Sequence, residues 1–273
     1  MKQWIMVIDV AKCHNCNNCF LSCKDEHVGN DWSPVTKPMP RHGHYWRKIE
    51  CVERGADALV DVQYRPGNCM MCENAPCEKA GNGAVVRRED GILLFDPEKA
   101  KGRKDLADAC PYGAIWWNEE LQIPQKCTFC AHLLDQGWTE TRCSHSCPTG
   151  ATSFLSVEKD ELEEYIKENH LSRYRDELGT KPHVFYKNLE LVTSSFFCGT
   201  VVLDGECCGS AVVTAEDENG EQFSVTTSPY GEFKLRGLKD GTYRIVIQSG
   251  ERKKELTAVG LKSDRYLGNI ELD

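Results

Sequence analysis

The stretch CHNCNNCFLSC, residues 13–23, decides how this chain folds. Its cysteines, Cys13, Cys16, Cys19 and Cys23, follow the x2, x2, x3 spacing of a four-iron, four-sulfur cluster run. The spacing has a geometric cause. Three cysteines in one tight loop reach three irons of a cube. The fourth sits on the following helical turn and faces away, so it serves a second cluster. A distant run must then complete the first.

Further groups lie outward from this one. Group two is CMMCENAPC, with Cys69, Cys72 and Cys77. Group three is the lone Cys110 in KAKGRKDLADACPYGA, residues 99–114. Group four joins CTFC to CSHSCP, with Cys127, Cys130, Cys143 and Cys147. In two-cluster bacterial ferredoxins the last cysteine of each run crosses to the other cluster. Pairing group one with four, and two with three, gives three complete sets. The first is Cys13, Cys16, Cys19 and Cys147. The second is Cys23, Cys127, Cys130 and Cys143. The third is Cys69, Cys72, Cys77 and Cys110.

A fourth set would need cysteines where the same spacing, counted back from Cys110, places Ala100, Arg103 and Leu106, and where counting on from Cys77 places Gly81. Random decay scatters losses, but here every loss falls on one site. Cys110 is retained because it serves the group-two cluster. The plainer alternative is zinc, since C-x2-C pairs also build zinc ribbons. Zinc sites need neither a four-cysteine run nor a proline after the last ligand of separate groups.

The remaining cysteines, Cys51, Cys198, Cys207 and Cys208, fall outside the pattern and read as small buried or reduced thiols. The eight histidines show no ligand spacing. His14 and His145 lie inside cysteine loops, where a hydrogen bond to sulfur would tune a potential; a solvated loop histidine is the plainer reading.

Composition narrows the function classes. The chain has 273 residues, 16 of them cysteine, and a net charge of −9. An acidic chain is a poor binder of phosphate backbones, so no nucleic-acid partner is expected. No apolar run approaches the ~20 residues of a membrane span. The opening MKQWIMVIDVAKC runs straight into the first cysteines and lacks a secretory cleavage pattern. Clustered cysteines without an export signal point to metal rather than disulfides, and to a cytoplasmic chain without a membrane anchor.

The local pattern gives strands at QWIMVID, 58–64 and 114–118. Asp96-Pro97 predicts a helix to about Ala109, standing in for the missing cluster loop. Residues 31–48, rich in proline and aromatics, read as a loop that either covers a cluster or meets a partner. An amphipathic helix is expected over 158–169, with Leu162, Tyr165 and Ile166 on one side. From Phe196 the ligand cysteines stop, and seven short alternating strands begin, separated by turns such as Asn219-Gly220 and Asp240-Gly241. The expected fold is α+β. A tandem ferredoxin-like domain over 1–195 binds three clusters, and a small all-β, seven-stranded sandwich or barrel spans 196–273. The second domain carries no catalytic constellation and reads as a docking module.

The four groups, the CPYGA after group three and the KCTFC…CSHSCP of group four resemble the iron–sulfur subunits of the dimethyl sulfoxide reductase family of molybdenum enzymes. The resemblance covers about residues 1–190. It implies an electron-transfer subunit bound to a large catalytic chain, which carries molybdenum and two pterin guanine dinucleotides. It also implies that the set Cys13, Cys16, Cys19 and Cys147 lies nearest that chain. The family's usual fourth cluster faces a membrane partner, and here that site has no ligands, which argues for a soluble heterodimer. The C-terminal GEFKLRGLKDGTYRIVI resembles small prealbumin-like or collagen-binding-B-like barrels. Three clusters plus such a barrel are similar to transhydroxylase small subunits, which implies a partner moving hydroxyl groups between polyhydroxylated benzenes. Two other readings remain open: a subunit of a respiratory reductase or formate dehydrogenase, and a zinc-binding scaffold. No catalytic residue is expected on this chain.

Overall fold

Bulky apolar residues in QWIMVID favour an extended chain, and they form β1 (Lys2–Asp9). Ile5, Met6 and Ile8 are fully buried, so both faces of β1 are covered. The computed structural model describes residues 2–56 and 59–272. The chain divides into two units, Met1–Cys51 with Tyr64–Leu189, and Val52–Gln63 with Glu190–Asp273. Sequence alone assigns 52–63 to the first domain; in the structure these residues group with the second unit.

After β1 come α1 (Asn18–His27) and a hairpin of β2 (Arg47–Ala56) and β3 (Leu59–Asn68). The strand expected from 58 begins at Leu59; Ala58 lies outside the described residues. Then follow α2 (Pro76–Gly81), a hairpin of β4 (Val85–Arg87) and β5 (Leu93–Phe95), and α3 (Asp105–Asp108). A third hairpin, β6 (Trp116–Asn118) with β7 (Ile123–Gln125), leads into α4 (Ala131–Leu134) and α5 (Arg142–His145). The first unit ends with β8 (Thr152–Glu158), α6 (Leu162–Glu168), β9 (Ser172–Arg173) and β10 (Val184–Lys187).

The sheet that anchors this unit has the order β8–β1–β10–β9. β1 runs antiparallel to β8 and parallel to β10. Leu162 and Ile166 of α6 pack with Ile5, Val7, Val157 and Phe185 in one core cluster. The helix is shorter than 158–169 because residues 159–161 turn before it starts.

The helix expected from Pro97 to Ala109 is not continuous. Asp96 does cap the turn, accepting the N–H groups of Glu98 and Lys99 at 3.1 and 3.2 Å. Gly102 then adopts φ +77, a left-handed conformation that ends a helix. Its N–H leaves the helical ladder and donates to the Gln122 carbonyl at 2.8 Å. Only α3 follows.

The second unit opens with α7 (Glu190–Thr193), β11 (Ser195–Leu203), β12 (Glu206–Cys207) and β13 (Val212–Glu216). It continues with β14 (Gln222–Thr226), β15 (Glu232–Leu238), β16 (Gly241–Ser249), β17 (Arg252–Leu261) and β18 (Arg265–Leu272). β11 pairs with β12, β15 and β18 in one sheet, and the other has the order β14–β13–β16–β17. All seven expected strands form, and the two-residue β12 is added. Inward side chains of both sheets share one core, including Phe197, Val201 and Phe233 from the first and Val213, Ile245 and Ile247 from the second. This is a sandwich in which period-two alternation buries one face. Tyr243, whose ring is buried beside Phe197, donates its hydroxyl to the Lys239 carbonyl at 2.9 Å.

Candidate metal centres

Group one is held by the end of β1 and the start of α1. Asp9 accepts the Ala11 N–H at 3.1 Å and turns the chain out of the strand. Asn15 and Asn17 then take left-handed conformations at φ +54 and +62, which asparagine tolerates better than most residues. These turns close the loop that contains Cys13 and Cys16, and α1 carries Cys19 and Cys23 one turn apart.

Group four is built at the other end of the sequence. β7 delivers Lys126 and Cys127, Phe129 and Cys130 adopt left-handed conformations, and α5 carries Cys143. Thr141 caps α5 with a capping box that leaves the helix N-terminus satisfied. α5 packs on α1. The Ser22 and Ser146 hydroxyls are 2.8 Å apart, and Arg142 Nε lies 3.0 Å from Glu26 Oε2. Glu26 also meets His132 Nε2 at 2.9 Å.

This helix pair brings the cysteines of the two runs near one another. Cys13 has Cys19 and Cys147 among its charged neighbours, while Cys23 has Cys127, Cys130 and Cys143. Cys147 thus lies near Cys13, and Cys23 lies near Cys127, Cys130 and Cys143, while Cys127 also senses Cys69 of group two. Burial, then the neighbouring thiols, pushes the Cys23 and Cys130 thiols well up. Burial followed by Cys143 pushes Cys127 up to about 12. Cys147 is held below the usual thiol value despite its burial, because Thr149 and backbone N–H groups donate to it. Cys16 is exposed on its loop.

Group two follows β3. Cys69 directly follows the strand, Met71 turns the chain at φ +48, and α2 carries Cys77. Burial and then Cys69 push Cys72 up to about 12 and Cys77 up to about 11, with Cys110 a further contributor to both. Cys110 is raised by burial and by Cys69. The lone cysteine of group three thus stands with group two, 33 residues away from Cys77 in sequence.

Gly81, Ala100, Arg103 and Leu106 also come together. Ala100 and Leu106 are fully buried. Arg103 donates to the carbonyls of Ala80 at 2.9 Å and Gly81 at 3.4 Å, and pairs with Asp105. A β-carbon on Gly81 would stand 2.8 Å from Val85 Cγ2, closer than packing allows. Apolar side chains and an arginine fill this region.

The donors fit iron–sulfur clusters. All are soft sulfurs, and hydrogen bonds reach several of them. The Phe129 N–H donates to Cys127 Sγ at 3.4 Å, the Ala114 N–H to Cys110 Sγ at 3.5 Å, and the Thr141 hydroxyl lies 3.2 Å from Cys143 Sγ. Such bonds tune cluster potentials. Among the described residues no three His, Cys, Asp or Glu side chains are placed to hold one metal ion.

Cys198 and Cys208 are buried, and Cys51 and Cys207 are exposed. His14 is exposed, and His145 packs edge-on to Trp138 at 5.9 Å; among the described residues neither bonds a cysteine sulfur. In the 31–48 segment, Trp46 packs against His27 at 4.8 Å and Trp32 stacks on His132 at 4.3 Å. Sequence reasoning missed Arg47, Lys126, Thr141 and the Glu26–His132 pair. Lys126 had a signal, its place directly before Cys127; Arg47 had none.

Residues 60–157 match the model of the 4Fe-4S dicluster domain family. Over its whole length the chain is 45% identical to the pyrogallol hydroxytransferase small subunit of Pelobacter acidigallici, covering 100% of both. It is 32% identical to the iron–sulfur subunit of a putative dimethyl sulfoxide reductase of Halobacterium salinarum, over 70% of this chain and 81% of that one. It is 31% identical to a tetrathionate reductase subunit of Salmonella typhimurium, over 69% of this chain and 73% of that one.

Proposed function

The chain belongs to the iron–sulfur subunits of the dimethyl sulfoxide reductase family of molybdopterin enzymes, and from that premise we propose that it carries three four-iron clusters in a pyrogallol–phloroglucinol transhydroxylase. The partner is a large catalytic subunit with molybdenum bis(pterin guanine dinucleotide), and together they form a soluble cytoplasmic heterodimer. On this chain the first cluster takes Cys13, Cys16, Cys19 and Cys147. The second takes Cys23, Cys127, Cys130 and Cys143, and the third takes Cys69, Cys72, Cys77 and Cys110. The first 195 residues act as a tandem ferredoxin-like domain, and the C-terminal sandwich acts as an accessory module.

What supports the reading is the nearness of Cys23 to Cys127, Cys130 and Cys143 and of Cys110 to Cys69, with Ala100 and Leu106 buried where a fourth set would lie. When bound, each cluster takes up or gives back one electron. The chain's own residues do the rest. The left-handed turns fix the thiols, the Phe129, Ala114 and Thr141 donors stabilise charge on sulfur, and Trp46 and Trp32 cover His27 of α1 and His132 of α4. No residue on this chain acts as acid, base or nucleophile.

The relatives named as reductases match about 70% of this chain, while the hydroxytransferase subunit matches all of it. Among the described residues no helix is long and apolar enough to cross a membrane. Purification with the large subunit and an assay of pyrogallol conversion test the reading. Phloroglucinol formation without net consumption of an electron acceptor is expected. Activity that depends instead on a quinone or an oxyanion acceptor would move the chain to the respiratory reductases.

A further inference from the structure

Two cations are buried in the first unit with only neutral groups bonded to them. Arg47, the first residue of β2, is 1% exposed. Its Nη1 donates to Asn68 Oδ1 at 2.6 Å and to Met6 Sδ at 3.5 Å, and its Nη2 donates to Thr152 Oγ1 at 2.6 Å. Its Nε has no partner. Lys126, between β7 and Cys127, is 2% exposed. Its Nζ donates to the carbonyls of Leu93 and, at 3.2 Å, of Cys127, and lies 3.9 Å from Met71 Sδ. Among the described residues no carboxylate pairs with either.

A buried charge is strongly unfavourable unless a counter-charge lies close. The counter-charges that would lie close are cysteine sulfurs, once they bind iron as thiolates. Arg47 faces Cys19 of the first set and Cys143 of the second, and bonds Asn68, the neighbour of Cys69. Lys126 touches Met71, inside the group-two loop, and lies beside Cys77 and Cys110 of the third set and Cys127 of the second. Each cation therefore stands at the junction of two consecutive sets.

We propose that Arg47 and Lys126 are positioning charges that set the order of reduction potentials along the chain of clusters. Arg47 raises the first and second, and Lys126 raises the second and third, so the middle cluster is stabilised in its reduced form by both. The proposal rests on the three-cluster reading. Four thiolates outweigh the positive charge of the cube they hold, and reduction adds one electron without breaking a bond. A fixed cation nearby favours that added charge, as net charge and hydrogen bonding to sulfur are known to do.

Potentiometric titration of the intact complex, followed by cluster-resolved electron paramagnetic resonance, tests this. Arg47→Met should make reduction of the first and second clusters at least about tenfold less favourable, about 59 mV for one electron, and leave the third unchanged. Lys126→Met should lower the second and third and leave the first. Arg47→Lys and Lys126→Arg, which keep the charge, should restore wild-type values. Unchanged potentials in the methionine variants, or an equal drop in all three clusters, would overturn the proposal. If the methionine variants fail to load iron, the charge-keeping variants decide. Normal loading and wild-type potentials in them support a charge role, and failure to load shows that shape alone matters and overturns it. Iron content of the wild-type complex is measured separately, so an error in cluster number is told apart from an error in the role of the cations.

Discussion

Cys110 is the residue on which the ligand sets turn. Its neighbours in sequence are non-ligands, yet it lies with Cys69, Cys72 and Cys77. Cys110→Ala should remove about four irons per chain, the content of one cubane, while the other two clusters keep their spectra. Unchanged iron would break the third set. Asp61 gives a second test at this scale, in the other unit. Burial pushes its carboxyl up, but the bonds and charge of Arg236 and the charge of Lys234 outweigh this and hold it well below the usual carboxylate range. Arg236 Nη1 donates to it at 2.7 Å and Lys234 Nζ at 3.3 Å. A depressed carboxyl stabilises the fold above its unfolded value of about 4, and that stabilisation is lost as pH falls through the folded value. Asp61→Asn should cost about 3 kcal/mol at pH 7, and the gap from wild type should narrow below about pH 4. A gap independent of pH in denaturant unfolding would contradict the ion-pair account. The four cysteine groups were legible at this scale because a cube dictates local spacing. Asp61 and Arg47 were not, because a charged residue within a strand pattern carries no mark of the partner it will meet across the fold.

At the scale of elements, pattern and local chemistry served unevenly. Alternation located all seven main strands of the sandwich, and the apolar opening located β1. The helix after Asp96 was read from its cap alone, and the left-handed Gly102 that stops it was visible only as a glycine inside a helical pattern. The 31–48 segment gave no periodicity, since it packs through single aromatics rather than through a face. What replaces the helix is a buried plug, with Leu106 fully enclosed. Leu106→Ala should lower stability by about 2–5 kcal/mol, as large-to-small changes in cores do, with iron content unchanged. Iron loss in that variant would mean that the region supports the third cluster directly, rather than filling space.

Across the whole molecule, the packing of α1 on α5 brings the first and fourth cysteine groups near each other, and the exchange between runs is the proposal built on that packing. The grouping of 52–63 with the C-terminal unit was not anticipated, because a hairpin that leaves one unit and returns to it looks local in sequence. The family makes this chain an electron-transfer iron–sulfur subunit of a molybdoenzyme, and three clusters are what would set this member apart within it. Elemental analysis of the anaerobically purified complex decides that number. About twelve irons and one molybdenum per copy of this chain are expected, as three four-iron clusters require. About sixteen irons with a fourth cluster traced to this chain, or about eight in the fully loaded complex, would contradict it.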